Sequence, residues 1–286
     1  MGRKLFITAV AAVLIIGSYE AFLRVAKPRS DVGQDQFATN RIRLENYVDR
    51  NERAVGVVVG SSLTARVPAD AWPKDWQILS QAGGNALVGL EVVEQISARP
   101  QKILIEINTL DIAYRRDDVE AALSSVKRAT RQILWLTRTA SRPANLMVWT
   151  FRPRGGSGNE QPGPGFPIQL ARQHRSYGRE PGSQLKQNLH LTKKMVDRLR
   201  HRSVEIVFFE MPVDRSLIGL LRAQRIRDAV AAAFPPRFYC WRIVDDGRFW
   251  RTIDGIHLTS KSAREAAAAV ASDCSGVSCT PRVGCH

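Results

Sequence analysis

The sequence predicts an α/β fold of three layers, α/β/α, around a mainly parallel central sheet. Three observations predict it. Short apolar, β-branched runs such as Val57-Val58-Val59 read as strands buried on both faces, as in a parallel sheet. Stretches of helical spacing alternate with these runs along one continuous body. The runs end in small polar residues, at the strand carboxyl ends where open α/β sheets carry their ligand crevice.

The chain has 286 residues, 44 % of them hydrophobic, enough for one large α/β domain with a real core. Residues 1–26 form the first region. Arg3 and Lys4 precede an uncharged stretch from Leu5 to Tyr19, long for a signal-peptide core and short for an ideal span, and Glu20 interrupts the apolar run. No small-x-small cleavage site follows, so the reading is an uncleaved signal anchor, with a cleaved signal peptide as the alternative. Arg24, Lys27 and Arg29 leave orientation open. Residues 27–53 read as a linker with a short helix around Arg41 to Asp49.

Residues 54–272 form the body. Strands are expected at Ala54–Gly60, Trp76–Ser80, Lys102–Ile107, Val204–Phe209 and Phe238–Val244. Helices are expected at Ala86–Ala98, Asp117–Thr139, Ser183–Arg202, Leu217–Phe234 and Thr259–Ser272. Residues 145–151 are apolar and ambiguous. Residues 152–182 are rich in Gly, Pro and Arg and read as a loop, disordered by default and otherwise a lid. Residues 273–286 are a cysteine-containing tail.

The net charge of +15 raises nucleic acid, an anionic membrane surface or an acidic polymer as partners. No helix-turn-helix, zinc-finger or RNA-binding motif focuses that charge, so nucleic acid is not expected. Cys240, Cys274, Cys279 and Cys285 make an even count, three of them in the tail, which suits disulfides in an oxidising compartment. Cys274 with Cys279 would leave Cys240 with Cys285, although four cysteines allow three pairings. Zinc held by the tail with His286 is the competing reading, and no paired CxxC spacing supports it. Anchor and cysteines together place the body outside the cytoplasmic membrane, on the periplasmic side, or secreted if the first segment is removed. Nothing in the sequence fixes the oligomeric state.

The candidate chemistry lies just past strand ends and in the final loop. Ser61-Ser62 follow the first strand, Gly83-Gly84 the second and Asn108 the third. Asp254-Gly255-Ile256-His257 precede the last helix. Across such a turn the Asp254 carboxylate can reach the His257 imidazole, fixing its tautomer and leaving the other ring nitrogen to take a Ser proton. Asn108 offers a side-chain amide to an oxyanion and Gly84 a backbone N–H. Each residue alone has a plainer reading: a Ser helix cap, a turn Gly, a turn Asn, an Asp capping the last helix. Their order along the chain is more specific than any one of them.

That order resembles the SGNH (GDSL-like) hydrolase superfamily. Gly60-Ser61-Ser62-Leu63 matches its first motif with Ser62 at the nucleophile position, Gly84 the second, Asn108 the third, and Asp254 with His257 the last. The resemblance spans roughly Val55 to Ala269. Ser61 stands where the family usually has Asp, Glu106 where it has Gly two residues before the Asn, and Thr109 where an Asp often follows. The second motif is compressed, so Gly83 competes with Gly84 as donor. These departures resemble divergent, membrane-anchored members that act on cell-surface polymers.

The resemblance implies a serine esterase or O-acyltransferase acting on an ester-linked acyl group, on a surface or secreted polysaccharide. It implies Ser62 as nucleophile, His257 as base, Asp254 as its orienter, and Ser62 N–H, Gly84 N–H and the Asn108 amide as oxyanion donors. It requires no metal or organic cofactor. The alternative is a non-catalytic carbohydrate-binding or assembly protein that keeps the fold, a reading that Ser61 and Glu106 favour.

Overall fold

The computed structural model of the chain describes residues 2–27, 33–50, 54–96, 100–151, 162–243 and 249–272. The cysteine tail, residues 152–161 and part of the 27–53 stretch lie outside the described residues. The chain divides into two compact units. One comprises Met1–Arg50 with Glu120–Arg154, the other Asn51–Val119 with Gly155–His286. The sequence reading kept 54–272 as one body, whereas Glu120–Arg154 folds with the N-terminal helices.

The second unit holds a five-stranded, all-parallel sheet: β1 (Gly56–Val59), β2 (Trp76–Ile78), β3 (Lys102–Glu106), β4 (Glu205–Glu210) and β5 (Cys240–Ile243), in the order β2-β1-β3-β4-β5. Register runs Val57 to Gln77, Val57 to Ile103, Ile103 to Ile206 and Val207 to Cys240. The chain direction across the sheet reverses between β1 and β3, a topological switch point where α/β sheets open a crevice. Helices cover both faces. Val58, Leu104, Val207 and Phe209 join one buried cluster with Ala263, Ala266, Ala267 and Val270 of the last helix. Val59, of opposite parity to Val58, lies against Gly89 on the other face.

We number the helices in chain order: α1 (Gly2–Ala26), α2 (Gln36–Arg50), α3 (Ser62–Ala65), α4 (Ala86–Gln95), α5 (Arg116–Leu123), α6 (Ser125–Ile133), α7 (Pro143–Phe151), α8 (Phe166–Tyr177), α9 (Leu185–His201), α10 (Arg215–Ile218), α11 (Leu221–Ala233) and α12 (Ser260–Ala271). Several depart from the sequence reading. The linker contains α2, a full helix whose Ile42, Leu44, Tyr47 and Val48 are buried. The expected helix 117–139 is broken at Ser124, whose side chain caps α6, and ends in two 3₁₀ turns, Trp135–Thr137 and Thr139–Ser141. The expected helix 217–234 is split by Gly219.

The Gly- and Pro-rich composition of 152–182 conceals α8. Pro167 sits in its first turn, where the missing N–H costs nothing. Leu170, His174 and Tyr177 recur at i, i+4 and i+7, and Tyr177 is buried in the core. The described part of the segment, residues 162–182, therefore carries a helix that packs through Tyr177. Cys240, on β5, is disulfide-bonded.

Candidate active site

β1 ends at Gly60, whose backbone passes so close to Glu106 that a Cβ there would lie 2.5 Å from Oε2. Only glycine fits that approach without displacing the carboxylate. The chain turns at Ser61, which N-caps α3 by accepting from Leu63 N at 3.1 Å, and Ser62 heads the helix. Ser62 N–H thus lies in the first turn, among the helix amides that have no intrahelical acceptor.

Glu106, the last residue of β3, braces this turn. It is fully buried, with 0 % of its surface exposed. Its Oε1 accepts from Ser61 Oγ at 2.5 Å, and its Oε2 accepts from Ser61 N at 2.9 Å, from Thr64 N at 3.3 Å and from Thr64 Oγ1. Burial pushes the Glu106 carboxyl above its usual value, opposed by these four hydrogen bonds. Ser61 and Glu106, the two residues that depart from the resembled pattern, are thus hydrogen-bonded to each other at this turn.

The Asp254–His257 turn lies at the tip of a small loop. Thr252 pairs antiparallel with Leu258, Ile253 N donates to His257 O at 2.8 Å, and Thr259 N donates to Arg251 O at 2.9 Å. Gly255 takes φ +93, and a Cβ there would lie 2.9 Å from Leu170 of α8. Asp254 Oδ1 accepts from His257 N at 2.8 Å and from Ile256 N at 3.1 Å, while Oδ2 lies 2.6 Å from His257 Nδ1. His257 Nε2 lies 2.9 Å from Ser62 Oγ. Burial raises the Asp254 carboxyl, but hydrogen bonds from the His257 ring and from the His257 and Ile256 backbone N–H groups, with the electrostatic attraction of His257, outweigh it and hold it at about 2. In the neutral ring, an ionised Asp254 at Nδ1 favours the tautomer with its hydrogen on Nδ1, which leaves Nε2 as the acceptor facing Ser62 Oγ. Ser62, His257 and Asp254, predicted as one group, are brought together within hydrogen-bond distance.

The oxyanion candidates fare differently. Asn108, just beyond β3, clamps the end of β4: its Nδ2 donates to Met211 O at 2.9 Å and its Oδ1 accepts from Met211 N at 2.8 Å. One Nδ2 hydrogen remains outside this clamp. Gly84 lies in a tight turn. Its N–H donates to Gln81 O at 3.0 Å and closes a turn with Gly83 at φ +74, so that amide is engaged locally. Thr109 Oγ1 donates to Gly84 O at 3.3 Å, tying the second motif to the third.

Two further groups surround the site and escaped sequence reading. Asp111 accepts a bidentate pair from Arg222 at 2.7 and 2.8 Å, and Gly182 N at 3.0 Å, so the segment following α8 is fastened to the loop carrying Asn108. His174 of α8 lies 2.7 Å from Ser216 Oγ, which donates to Asp214 Oδ1, and Asp214 N donates to Gly255 O at 2.8 Å. Helix α8 therefore walls the Asp254–His257 turn. Among the described residues no cluster of His, Cys, Asp and Glu forms a metal site. Comparison of the chain with family models, with curated proteins and with solved structures finds no match.

Proposed function

We propose that the protein is a membrane-anchored serine esterase or O-acyltransferase of the SGNH (GDSL-like) type, acting outside the cytoplasm on an ester-linked acyl group of a polysaccharide. The observation that carries this reading is the relay from Asp254 through His257 to Ser62, at 2.6 and 2.9 Å, beside the β1–β3 switch point. The strand order 2-1-3-4-5 is the flavodoxin-like one, in keeping with a three-layer fold of that type.

In the proposed reaction, Ser62 Oγ attacks the acyl carbonyl while its proton passes to His257 Nε2. The carbonyl oxygen becomes an oxyanion, met by Ser62 N–H and the free Asn108 N–H. Collapse breaks the C–O bond, and His257 returns the proton to the departing hydroxyl. The acyl group is now an ester of Ser62. Water or a sugar hydroxyl attacks it while His257 takes that proton, and His257 returns the proton to Ser62 Oγ as the acyl–Ser62 bond breaks. Ionised Asp254 holds the ring and stabilises the imidazolium formed in each half-reaction. Glu106 touches none of the reacting atoms and acts by fixing the turn that aims Ser62.

The test is to incubate the purified full chain with acetylated and chemically deacetylated glycans and follow acetate by mass spectrometry. Acetate release, or acetyl transfer between glycans, that needs Ser62 supports the reading. Wild-type protein that binds glycan and moves no acyl group would make it the non-catalytic binder.

A further inference from the structure

The unit of Met1–Arg50 with Glu120–Arg154 contributes no residue to the Ser62 relay. Its helix α1 is 25 residues long and apolar enough to cross a membrane. The uncharged part, Leu5 to Tyr19, reaches only about 22 Å at the helical rise, against a hydrocarbon core of about 30 Å. A span must therefore bring Glu20 to Arg24 to the membrane boundary, where bare charge is costly.

This stretch of α1 is covered by residues 133–141. Glu20 Oε1 accepts from Trp135 N at 3.0 Å and Oε2 from Leu136 N at 2.9 Å. Arg24 pairs with Glu20 at 2.8 Å and donates to Ile133 O at 2.5 Å; Tyr19 OH donates to Ser141 O; Leu23 is fully buried. The covering segment thus stands at the level where α1 leaves the hydrocarbon. Its own outer side is apolar: Ile133 is 66 % exposed and Leu134 41 %. Arg138 stacks over the Trp135 ring at 4.0 Å, an aromatic–cation pair suited to headgroup depth. Asn145 of α7 donates to Thr139 O at 2.6 Å, and α7 exposes Ala144, Met147 and Phe151 at i, i+3 and i+7, the last at 76 %. Arg142, between segment and helix, is exposed.

We propose that residues 133–136 and the outer face of α7 form a platform that lies on the bilayer spanned by α1. Its apolar side chains enter the acyl boundary, and Arg24, Arg138 and Arg142 meet anionic phospholipid headgroups. The platform rests on α1 being retained as an anchor. Large exposed apolar side chains otherwise invite association, and the bilayer is the apolar phase that α1 brings to this unit.

The test places a benzophenone amino acid singly at Val13, Leu134 or Met147 in the full chain, reconstituted in phosphatidylcholine–phosphatidylglycerol vesicles. Ultraviolet adducts are identified by mass spectrometry. Phospholipid adducts at Val13, Leu134 and Met147 are expected. Adducts at Val13 with none at Leu134 and Met147 would overturn the platform while leaving the anchor intact. Protein–protein adducts at Leu134 or Met147 in place of lipid would show that a second copy covers the face, and would overturn it too. Absence of lipid at Val13 would remove the anchor and the platform with it.

Discussion

The two halves of the proposed relay are built differently. The Asp254–His257 turn is a local object: three hydrogen bonds to Asp254 come from residues two and three positions away, and a short antiparallel pairing closes around it. The Ser62 turn is a long-range object: its brace, Glu106, comes from the next strand of the sheet. The carboxyls differ accordingly. Asp254, partly open to solvent and rich in donors from His257, is held down at about 2, whereas Glu106, wholly buried, is pushed up. The carboxylate to which the proposed relay assigns the orienting role sits where it is stabilised as an anion. A carboxyl that only fixes backbone sits in the core.

The sharpest way to break this comparison is to remove the two serines separately. Ser62→Ala should abolish ester turnover, a loss of at least about 10³-fold in kcat, with unchanged thermal unfolding. Ser61→Ala removes an N-cap and a Glu106 partner, and should cost about 1 kcal/mol of stability while keeping most activity. If Ser61→Ala is the dead variant, the nucleophile is misassigned. Replacing Asp254 with Asn keeps the shape and removes the charge, and kcat should fall about 10⁴-fold because the tautomer is no longer enforced. Assayed on p-nitrophenyl acetate, an Asp254→Asn enzyme with intact kcat would reduce Asp254 to a helix-proximal cap.

Asn108→Ala should lower kcat about 10²–10³-fold with little change in KM. Because the same amide clamps Met211, unfolding should also come earlier. A loss of stability with unchanged kcat would leave only the clamp. Glu106→Ala strands the Ser61 and Thr64 N–H groups and should destabilise by about 2–6 kcal/mol. Glu106→Gln, with its amide oxygen in the Oε2 position, keeps the acceptor for Ser61 N, Thr64 N and Thr64 Oγ1 and should restore folding, with kcat lowered but measurable.

The smallest effect separates the two carboxyls by pH. Asp254 has a lowered folded value, so its stabilisation, about 2 kcal/mol at most, is present above the usual 3.8 and lost as pH falls toward 2. Glu106 has a raised folded value, so its contribution is present below the usual 4.5 and lost as pH rises. Denaturant midpoints across acid pH should therefore flatten in opposite senses in Asp254→Asn and Glu106→Gln. Identical profiles would undo the distinction.

What was legible in the sequence follows the same division between local and distant. The Asp-x-x-His turn and the buried valine run were readable because each depends on residues within a few positions, and the parallel sheet because strands alternate with helices along the body. Glu106 read as a departure from a family pattern, because its partners Ser61 and Thr64 meet it only through strand pairing. The engagement of Gly84 N–H with Gln81 was also hidden, since a Gly-Gly pair fixes a turn but not which amide closes it. Helix α8 was masked by the Gly and Pro around it, although Leu170, His174 and Tyr177 carried its period. The Asp111–Arg222 pair spans more than a hundred residues, and no spacing announces it.

The central claim is that Ser62 is an activated nucleophile. The direct measurement is intact-mass analysis of the full chain after exposure to a fluorophosphonate, with peptide mapping. The account predicts one adduct, located on Ser62, absent in Ser62→Ala and strongly slowed in His257→Ala. A folded wild-type chain that never labels, or label that persists in Ser62→Ala, would contradict it.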